Sequence, residues 1–461
     1  MEPRRLGADL AARQGVLMDQ QSYVLRTIEE RGVRLVRLWF CDVLGQLKSI
    51  AISPVEIETA FEEGVQFDGS AIDGFSRVVE EDVLAMPDPS SFQLTTIGDT
   101  AEITGRMFCD LVNLDGTPFE GDPRQVLKRN LARARDAGFT FMCAPEVEFF
   151  YLATDDAAQG AVPLDTASYF DLTLHDASSD IRRETLQRLE SLGIGVEYSF
   201  HEDAPSQHEI DLRYTDGLSV SDNLMTLRMV VKEVALDHGV HATFMPKPIT
   251  GVQGSGMHTH MSLWSGDDNA FYAEGAEASL SETGRQFVAG LLTHAPELTA
   301  VTNQLVNSYK RLVPGFEAPV HVTWARSNRS ALVRVPITKR GKEPWATRIE
   351  YRAIDPACNP YLAYSVLLAA GLAGIEGGYE LGEEASPDTF EMSEVDRLRN
   401  GVRMLPASLA DALAQMEGST LVRDALGEHI FEWFLRNKRA EWGDYKAHVS
   451  QFELDRYLRS W

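Results

Sequence analysis

The sequence predicts an α+β protein in which a small, β-rich N-terminal domain precedes a larger domain of mixed helices and strands. Polar and apolar residues alternate in Arg34–Phe40, turn formers follow in Cys41–Gly45, and an extended pattern resumes in Gln46–Ser53, which is typical of a β-hairpin. The composition shifts to turn formers again in Asp115–Pro123, and beyond it helix and strand patterns alternate. The 461 residues are enough for two domains, and we place the boundary in this second turn-rich segment.

The larger domain is predicted to open with a helix. Asp122 is a favourable N-cap, Pro123 a favourable first helical residue, and Gly138 suits the helix end because glycine tolerates positive φ. A second helix is expected at about Asp180–Leu192. The apolar segment Tyr361–Ile375 is shorter than the roughly 20 residues that cross a bilayer, so we expect a buried helix there. Further strands are predicted at Ile194–Phe200, His208–Tyr214 and Val240–Met245.

Two glutamates one residue apart interrupt an otherwise apolar segment. Glu146 and Glu148 lie within Phe139–Leu152, which has the length and aromatic content of a buried strand, so both side chains project from the same face. Two neighbouring carboxylates would cost several kcal/mol there unless they were protonated or neutralised by a cation. A divalent metal is the leading candidate. The alternative is that Pro145 ends the strand early and leaves both glutamates in solvent.

The overall composition is that of an acidic globular protein. The chain has 69 acidic and 43 basic residues and a net charge of -26, which opposes binding to nucleic acids and anionic membranes. Its four cysteines are scattered, with no Cys-x-x-Cys pair, which indicates neither a disulfide framework nor a zinc–thiolate site and fits the cytoplasm. Residues 1–18 lack the apolar core of a signal peptide, and we expect a flexible extension.

More metal-ligating residue types occur in other strand-like segments. His258 and His260 are two residues apart in Gly254–Ser262 and would share one face, although a structural pair bonded to the backbone is an equal alternative. The candidate ligands are Glu146, Glu148, Glu202, Glu209, His258 and Glu350. This oxygen-rich set suits Mg²⁺ or Mn²⁺, and so many acids require at least two cations.

Arginines supply the opposite charge in the last third of the chain. They are Arg311, Arg329, Arg334, Arg348 and Arg352. Because guanidinium groups match phosphate geometry, their position beside a two-metal site indicates a bound polyphosphate and phosphoryl transfer. For any one of them, a solvated surface ion pair is the alternative. The chain has no P-loop and no Rossmann glycine motif, so ATP would have to be held differently.

Seven ordered segments carry a resemblance to a known family. They are FDGSAIDGF (Phe67–Phe75), PEVEFF (Pro145–Phe150), HEDAPSQHEIDL (His201–Leu212), MPKPITGVQGSGMHTHMS (Met245–Ser262), NSYKRLVPGFEAP (Asn307–Pro319), NRSALVRVP (Asn328–Pro336) and RIEYR (Arg348–Arg352). From about Val24 to its end the chain resembles glutamine synthetases of type I.

The resemblance implies a β-grasp N-terminal domain over residues 19–115 and a catalytic domain with a curved antiparallel sheet over residues 116–461. It also implies a homo-oligomer, a dodecamer of two hexameric rings with active sites between subunits. In this family ATP phosphorylates the γ-carboxylate of glutamate, and ammonia displaces the phosphate from γ-glutamyl phosphate while two divalent ions stabilise the transferring group.

The resemblance also assigns the two metals to different ligands. Glu148, Glu202 and Glu209 would hold the ion nearer glutamate. Glu146, His258 and Glu350 would hold the ion that bridges the ATP phosphates.

The remaining roles implied by the resemblance concern substrates and catalysis. Glutamate would be bound by Arg311, Arg352 and Gly254, and ATP would be faced by His260, Ser262, Arg334 and Arg348. Arg329 would stabilise the transferred phosphoryl group, and Glu317 would lie in the flap that closes the site. Asp68 of the adjacent subunit would take a proton from the incoming amine, with Tyr169 and Glu202 completing the cation pocket.

Four positions depart from the family pattern. Ala71 replaces a usual serine beside the ammonium pocket, Ser206 stands where glycine is common, Gln253 replaces an asparagine, and Trp345 replaces a lysine near the nucleotide. Losing the hydroxyl at residue 71 removes a hydrogen bond worth about 1 kcal/mol and frees space.

Two acceptors therefore stay open, ammonia and a larger primary amine. The chain also resembles an actinobacterial group in which some members are γ-glutamylpolyamine synthetases. A non-catalytic regulatory homologue is the alternative from another class.

Overall fold

The computed structural model describes residues 18–74, 82–96, 102–172, 178–316, 318–385, 393–399 and 401–461. Residues 18–31 form helix α1, and α2 spans Ile57–Glu63. The strands of the first sheet are β1 (Leu35–Cys41), β2 (Leu47–Ile52), β3 (Val65–Asp68), β4 (Asp82–Pro87), β5 (Gln93–Thr96) and β6 (Ile103–Asn113). Nearly all of the predicted N-terminal extension lies outside the described residues.

The first sheet has the order β2-β1-β6-β4-β3, with β5 also paired to β6. The β1–β2 hairpin is antiparallel, as predicted, whereas β1 and β6 run parallel. Val36, Leu38 and Phe40 alternate along β1 and are buried in a cluster with residues of α1 and α2. The alternating pattern in the sequence is therefore explained by one face of β1 packing in this small core.

A ten-stranded sheet forms the centre of the larger domain. Its strands are β7 (Thr140–Leu152), β8 (Val196–His201), β9 (Gln207–Leu212), β10 (Thr215–Asp216), β11 (His241–Thr243), β12 (Met257–Ser265), β13 (Asp268–Asn269), β14 (His321–Ala325), β15 (Ala331–Arg334) and β16 (Ile349–Tyr351). The main order is β14-β15-β16-β12-β7-β9-β8. The pairing is antiparallel as expected, except that β14 and β15 run parallel.

Helices cover this sheet and carry the main hydrophobic core. They are α3 (Pro123–Asp136), α4 (Ser178–Ser191), α5 (Gly217–Asp237), α6 (Glu282–Thr302), α7 (Ser308–Arg311), α8 (Glu343–Ala346), α9 (Pro360–Glu376), α10 (Glu394–Arg399), α11 (Leu409–Glu417), α12 (Thr420–Leu426), α13 (Glu428–Ala447) and α14 (Gln451–Tyr457). The predicted helix after Asp122 is α3, where the Asp122 side chain accepts a hydrogen bond from Arg124 N.

Helix α9 is buried along almost its whole length, as its apolar sequence predicts. It packs closely against α6 at Gly290, which has no side chain. A Cβ added there would lie 2.1 Å from the carbonyl oxygen of Ala370. No helix among the described residues is long and apolar enough to span a membrane.

Buried polar contacts tie the two sheets together. Arg124 of α3 is 2% exposed and forms ion pairs with Asp88 and Asp110 of the first domain and with Asp222 of α5. Asn359 caps α9 and also donates to the carbonyl oxygen of Asp42 at 3.1 Å. A charge buried in this way must keep its partners, so these contacts fix how the domains sit against each other.

Candidate active site

Sheet register brings five of the six candidate metal ligands together on four neighbouring strands, and the sixth, Glu202, directly follows a fifth strand. His258 of β12 lies opposite Glu146 of β7, and Glu148 of β7 lies opposite Glu209 of β9. Glu350 lies on β16 beside β12, and Glu202 directly follows β8. Strand β7 continues through Pro145, and Glu148 is only 7% exposed, so the alternative of an early strand end is wrong.

Glu146, His258 and Glu350 form one tight group, whose ligand atoms lie within 4.8 Å of one another. His258 Nδ1 is 3.4 Å from Glu146 Oε2 and 3.9 Å from Glu350 Oε1. His260 Nε2 contacts the other oxygen of Glu146 at 2.7 Å. Burial alone would raise the pKa of Glu146, but hydrogen bonds from the two histidines outweigh it and hold the pKa well below its usual range. This carboxylate is therefore ionised and able to bind a cation.

Arginines neutralise Glu350, which has no solvent exposure. Arg334 Nε and Arg352 Nη1 each donate to one of its two oxygens. Burial raises the pKa of Glu350, but the nearby positive charge of Arg352 and the two histidines more than offset it, and the pKa is lowered. A metal ion bound by this group would thus have to coordinate a Glu350 carboxylate that Arg334 and Arg352 also contact.

Glu148, Glu202 and Glu209 form a second acidic group with the opposite electrostatic behaviour. Burial and then the charge of Glu148 raise the pKa of Glu202 to about 7 and that of Glu209 well above its usual value. Protons therefore compete for these carboxyl groups until a cation neutralises them. Carboxylate oxygens are the ligands that Mg²⁺ and Mn²⁺ prefer, so the residue types of this group suit either ion.

Glu148 is oriented by two donors that the sequence did not reveal. Gln207 Nε2 and the backbone N–H of Gly256 each donate to Glu148 Oε2 at 2.9 Å. Gln207 also donates to the carbonyl oxygen of Gly254 at 3.2 Å. Gln207 directly precedes the predicted strand His208–Tyr214, in which charged and apolar residues alternate. This position was the one signal in the sequence that could have identified Gln207 as a site residue. Asp211 on the same strand was also missed as a site residue, and burial raises its pKa to about 7.

The glycine-rich segment and the candidate glutamate-binding arginines lie beside Glu148. Arg311 is 3% exposed and donates to the carbonyl oxygens of Ala353 at 2.6 Å and Arg352 at 3.1 Å. A Cβ on Gly254 would lie 2.2 Å from the carbonyl oxygen of Pro246, so no larger residue fits there. The structure therefore brings Gly254, Arg311 and Arg352 to one side of the sheet face.

Residues implicated in amine binding meet at the other edge of the acidic group. The guanidinium of Arg329 lies 6.0 Å from the centre of the Tyr169 ring. Burial and then the charge of Glu202 raise the pKa of Tyr169, while the Arg329 side chain partly offsets the shift. Asp68 instead lies at the end of β3 in the first sheet, three residues before Ala71. Glu317 lies outside the described residues.

A cleft of about 290 Å³ adjoins the Glu146 group and contains the candidate ATP residues His260, Ser262 and Arg348. Arg348 Nε donates to His260 Nδ1 at 3.1 Å, and Trp264 Nε1 donates to Ser262 Oγ at 3.0 Å. Trp264 and Trp345 both line the cleft, with ring centres 6.4 Å apart and planes inclined by 27°. The cleft thus offers aromatic faces together with cationic and carboxylate side chains.

A third group, Asp165, His201 and His208, also lies within 4.8 Å but is poorly suited to a metal. Arg182 can only donate to His208 Nδ1, at 2.7 Å, so the hydrogen of the neutral ring is on Nε2. His201 places one ring nitrogen 3.0 Å from Asp165 and the other 2.6 Å from the carbonyl oxygen of Glu202. Both ring nitrogens of His201 are therefore already in polar contacts, and His208 Nε2, which has no hydrogen-bond partner among the described residues, carries a hydrogen rather than a free lone pair.

Comparisons with known proteins agree with this arrangement. The signature of the glutamine synthetase catalytic domain matches residues 120–457, and that of the glutamine synthetase beta-Grasp domain matches residues 32–114. A glutamine synthetase of Mycolicibacterium smegmatis is 53% identical over 442 residues, covering 95% of this chain and 99% of the relative. One from Halobacterium salinarum is 47% identical over 447 residues, covering 96% and 97%.

Solved structures give the same result. A structure titled "GmaS/ADP complex-Conformation 1" matches with a TM-score of 0.84 and 33% identity, covering 94% of this chain and 99% of the other. The predicted fold class, a β-grasp domain followed by a large α+β domain, is therefore confirmed.

Proposed function

This chain belongs to the glutamine synthetase family and is an ATP-dependent ligase that joins the γ-carboxylate of glutamate to an amine, and we propose that the amine is ammonia. The observation that carries the proposal is the acidic pocket at Glu202. That carboxyl group is half-buried near Glu148 and Glu209 and close to Tyr169, so beside a bound metal ion it would also offer a negative charge to ammonium.

We assign the two acidic groups to two divalent ions, Mg²⁺ or Mn²⁺. Glu148, Glu202 and Glu209 would hold one ion, and Glu146, His258 and Glu350 the other. When bound, these ions neutralise charge on the transferring phosphoryl group. The surroundings of the two glutamates support this assignment, since Glu146 lines the cleft proposed for the nucleotide, whereas Glu148 accepts from Gly256 N and is linked through Gln207 to Gly254.

The surrounding side chains would bind the substrates. Arg311, Arg352 and Gly254 would hold the carboxylates of glutamate, while His260, Ser262, Arg334 and Arg348 would hold ATP. Arg329 would stabilise the phosphoryl group during transfer, and its contact with Tyr169 supports a position between phosphate and amine. Glu317 would cover the site during reaction. Once ammonium is bound, a carboxylate must remove a proton before nitrogen can attack γ-glutamyl phosphate, and Asp68 would do this.

We further propose that Asp68 is supplied by a neighbouring subunit of a ring-shaped homo-oligomer, a dodecamer, in the cytoplasm. Mixing Asp68→Asn subunits with Glu148→Ala subunits tests this, since each variant alone is inactive. Random co-assembly should restore roughly a quarter of the sites if the site is shared between subunits. Mixtures that stay inactive would refute a shared site.

A second acceptor class, a larger primary amine or polyamine, is favoured by Ala71. This residue lacks the hydroxyl usual beside the pocket, and a 33% identical structural relative bears the name GmaS rather than glutamine synthetase. The test is a product assay with ATP, glutamate and either ammonium, putrescine, spermidine or ethanolamine. We expect glutamine from ammonium. Turnover only with an organic amine would refute ammonia as the acceptor.

A further inference from the structure

Ser206 has a backbone conformation that serine rarely adopts. Its φ is 59°, in the left-handed region that favours glycine, and its side chain is completely buried. The hydroxyl oxygen accepts hydrogen bonds from Leu164 N at 2.6 Å and Asp165 N at 2.9 Å. Ser206 N in turn donates to Asp165 Oδ1 at 3.0 Å. Three hydrogen bonds thus connect one residue to a segment more than forty residues earlier.

Asp165 extends this connection to a candidate metal ligand. Besides Ser206 N, it accepts hydrogen bonds from Ser178 Oγ at 3.1 Å and from His201 Nε2 at 3.0 Å. The other nitrogen of His201 contacts the carbonyl oxygen of Glu202 at 2.6 Å. The backbone at Glu202 is therefore tied through His201 and Asp165 to Ser206, on the opposite side of the β8–β9 turn.

The segment held by Ser206 carries Tyr169, and residues 164–171 are called the acceptor loop below. Phe170 N donates to the carbonyl oxygen of His201 at 3.0 Å, and Ser168 Oγ donates to Asp203 Oδ1 at 3.2 Å. Phe170 also has a positive φ of 61°, and its ring packs on Phe200 with centres 4.7 Å apart. These contacts present Tyr169 toward Arg329 while the loop rests on the turn that carries Glu202.

We propose that Ser206 is a positioning residue for binding of the amine. Its hydroxyl group holds the acceptor loop so that Tyr169 is in place before the amine binds. A glycine would adopt the same backbone angles without strain but would leave the N–H groups of Leu164 and Asp165 without this acceptor. The backbone strain at Ser206 is therefore offset by the hydrogen bonds that anchor the base of the acceptor loop. This role rests on the proposed function, since it assigns Tyr169 to the acceptor.

Two substitutions separate the hydroxyl from the strain. Ser206→Ala removes the hydroxyl and keeps a Cβ at positive φ, whereas Ser206→Gly removes both. We expect both variants to raise the KM for ammonium by about tenfold, the effect of losing hydrogen bonds from a buried acceptor. The KM values for ATP and glutamate should change less than twofold. Amide hydrogen exchange across residues 161–172 should become faster in both variants.

A matched control is Ser221→Ala, which removes a fully buried hydroxyl that donates to Gly217 O within α5. It should leave all three KM values and exchange in the acceptor loop unchanged. Unchanged ammonium KM and exchange in both Ser206 variants would overturn the proposal, as would equal rises in all three KM values. A normal KM in Ser206→Gly but not in Ser206→Ala would show that strain alone matters and would also overturn it. Failure of the proposed function would differ, since the unmodified protein would then not form glutamine from ammonium.

Discussion

Raising the pH of the metal-free protein should destabilise it, because the acidic group around Glu202 must then ionise without a cation. Burial and the neighbouring Glu148 raise the pKa of Glu202 from 4.5 to about 7 in the folded protein. A raised folded pKa contributes stability that is fully present below pH 4.5 and is lost as the pH rises through 7. A shift of this size corresponds to a contribution on the order of 3 kcal/mol.

The assay is thermal unfolding between pH 5 and 8.5, with a chelator or with saturating Mn²⁺. We expect the melting temperature of the metal-free protein to fall across this range and the gain from Mn²⁺ to grow as the carboxyl groups lose their protons. Calorimetry of Mn²⁺ binding at pH 6.5, in two buffers of different ionisation enthalpy, should show about one proton released per Glu202 group. Little release is expected at pH 8.5.

The isosteric variant Glu202→Gln is the control, because its side chain stays neutral while the net acidity of the chain barely changes. It should lose most of the proton release and flatten the pH dependence of the metal effect. A Mn²⁺ affinity that is equal at pH 6 and pH 8.5, with no proton release, would refute the assignment of a cation to this group.

Four further substitutions test other parts of the site. Glu146→Ala should raise the KM for ATP tenfold or more and Glu148→Ala that for glutamate, since the proposed function places each beside a different substrate; identical kinetic changes in the two variants would contradict the assignment. Trp345→Ala should raise the KM for ATP two- to fivefold without affecting glutamate, because its ring, stacked with Trp264, lines the cleft proposed to bind the nucleotide; nucleotide quenching of tryptophan fluorescence measures the same loss. Ala71→Ser should lower the KM for ammonium about fivefold by adding a hydrogen bond, and an unchanged value would exclude residue 71 from the pocket.

The elements that the sequence predicted well are those with local signals. The β1–β2 hairpin follows from alternation around a turn, and α3 begins where Asp122 and Pro123 indicate. Strand ends were less exact: Ile194–Phe200 was predicted and Val196–His201 is observed, because pairing with β9 sets that strand's limits. Such pairing partners are distant in sequence and leave no local mark.

Contacts between distant segments explain what the sequence did not reveal in the site. The five arginines were expected to face a polyphosphate, yet Arg334 also neutralises Glu350, a pairing decided by the β15–β16 register. Ser206 was noticed only as a departure from a common glycine. Its hydrogen bonds to Leu164 and Asp165 could not be inferred, since nothing near residue 206 indicates which loop will lie above it.

The pKa values of Glu146 and Glu148 shift in opposite directions because hydrogen bonds dominate at Glu146 and burial dominates at Glu148. Glu146 faces His258 and His260, whose hydrogen bonds hold its pKa low. Glu148 faces Glu209, and burial raises its pKa although Arg311 partly offsets the effect. A cation near Glu146 therefore meets a carboxylate that is already ionised, whereas one near Glu148 must compete with protons. The two groups should accordingly lose their bound metal ions at different pH values. On acidification, the group that contains Glu148 should release its ion first.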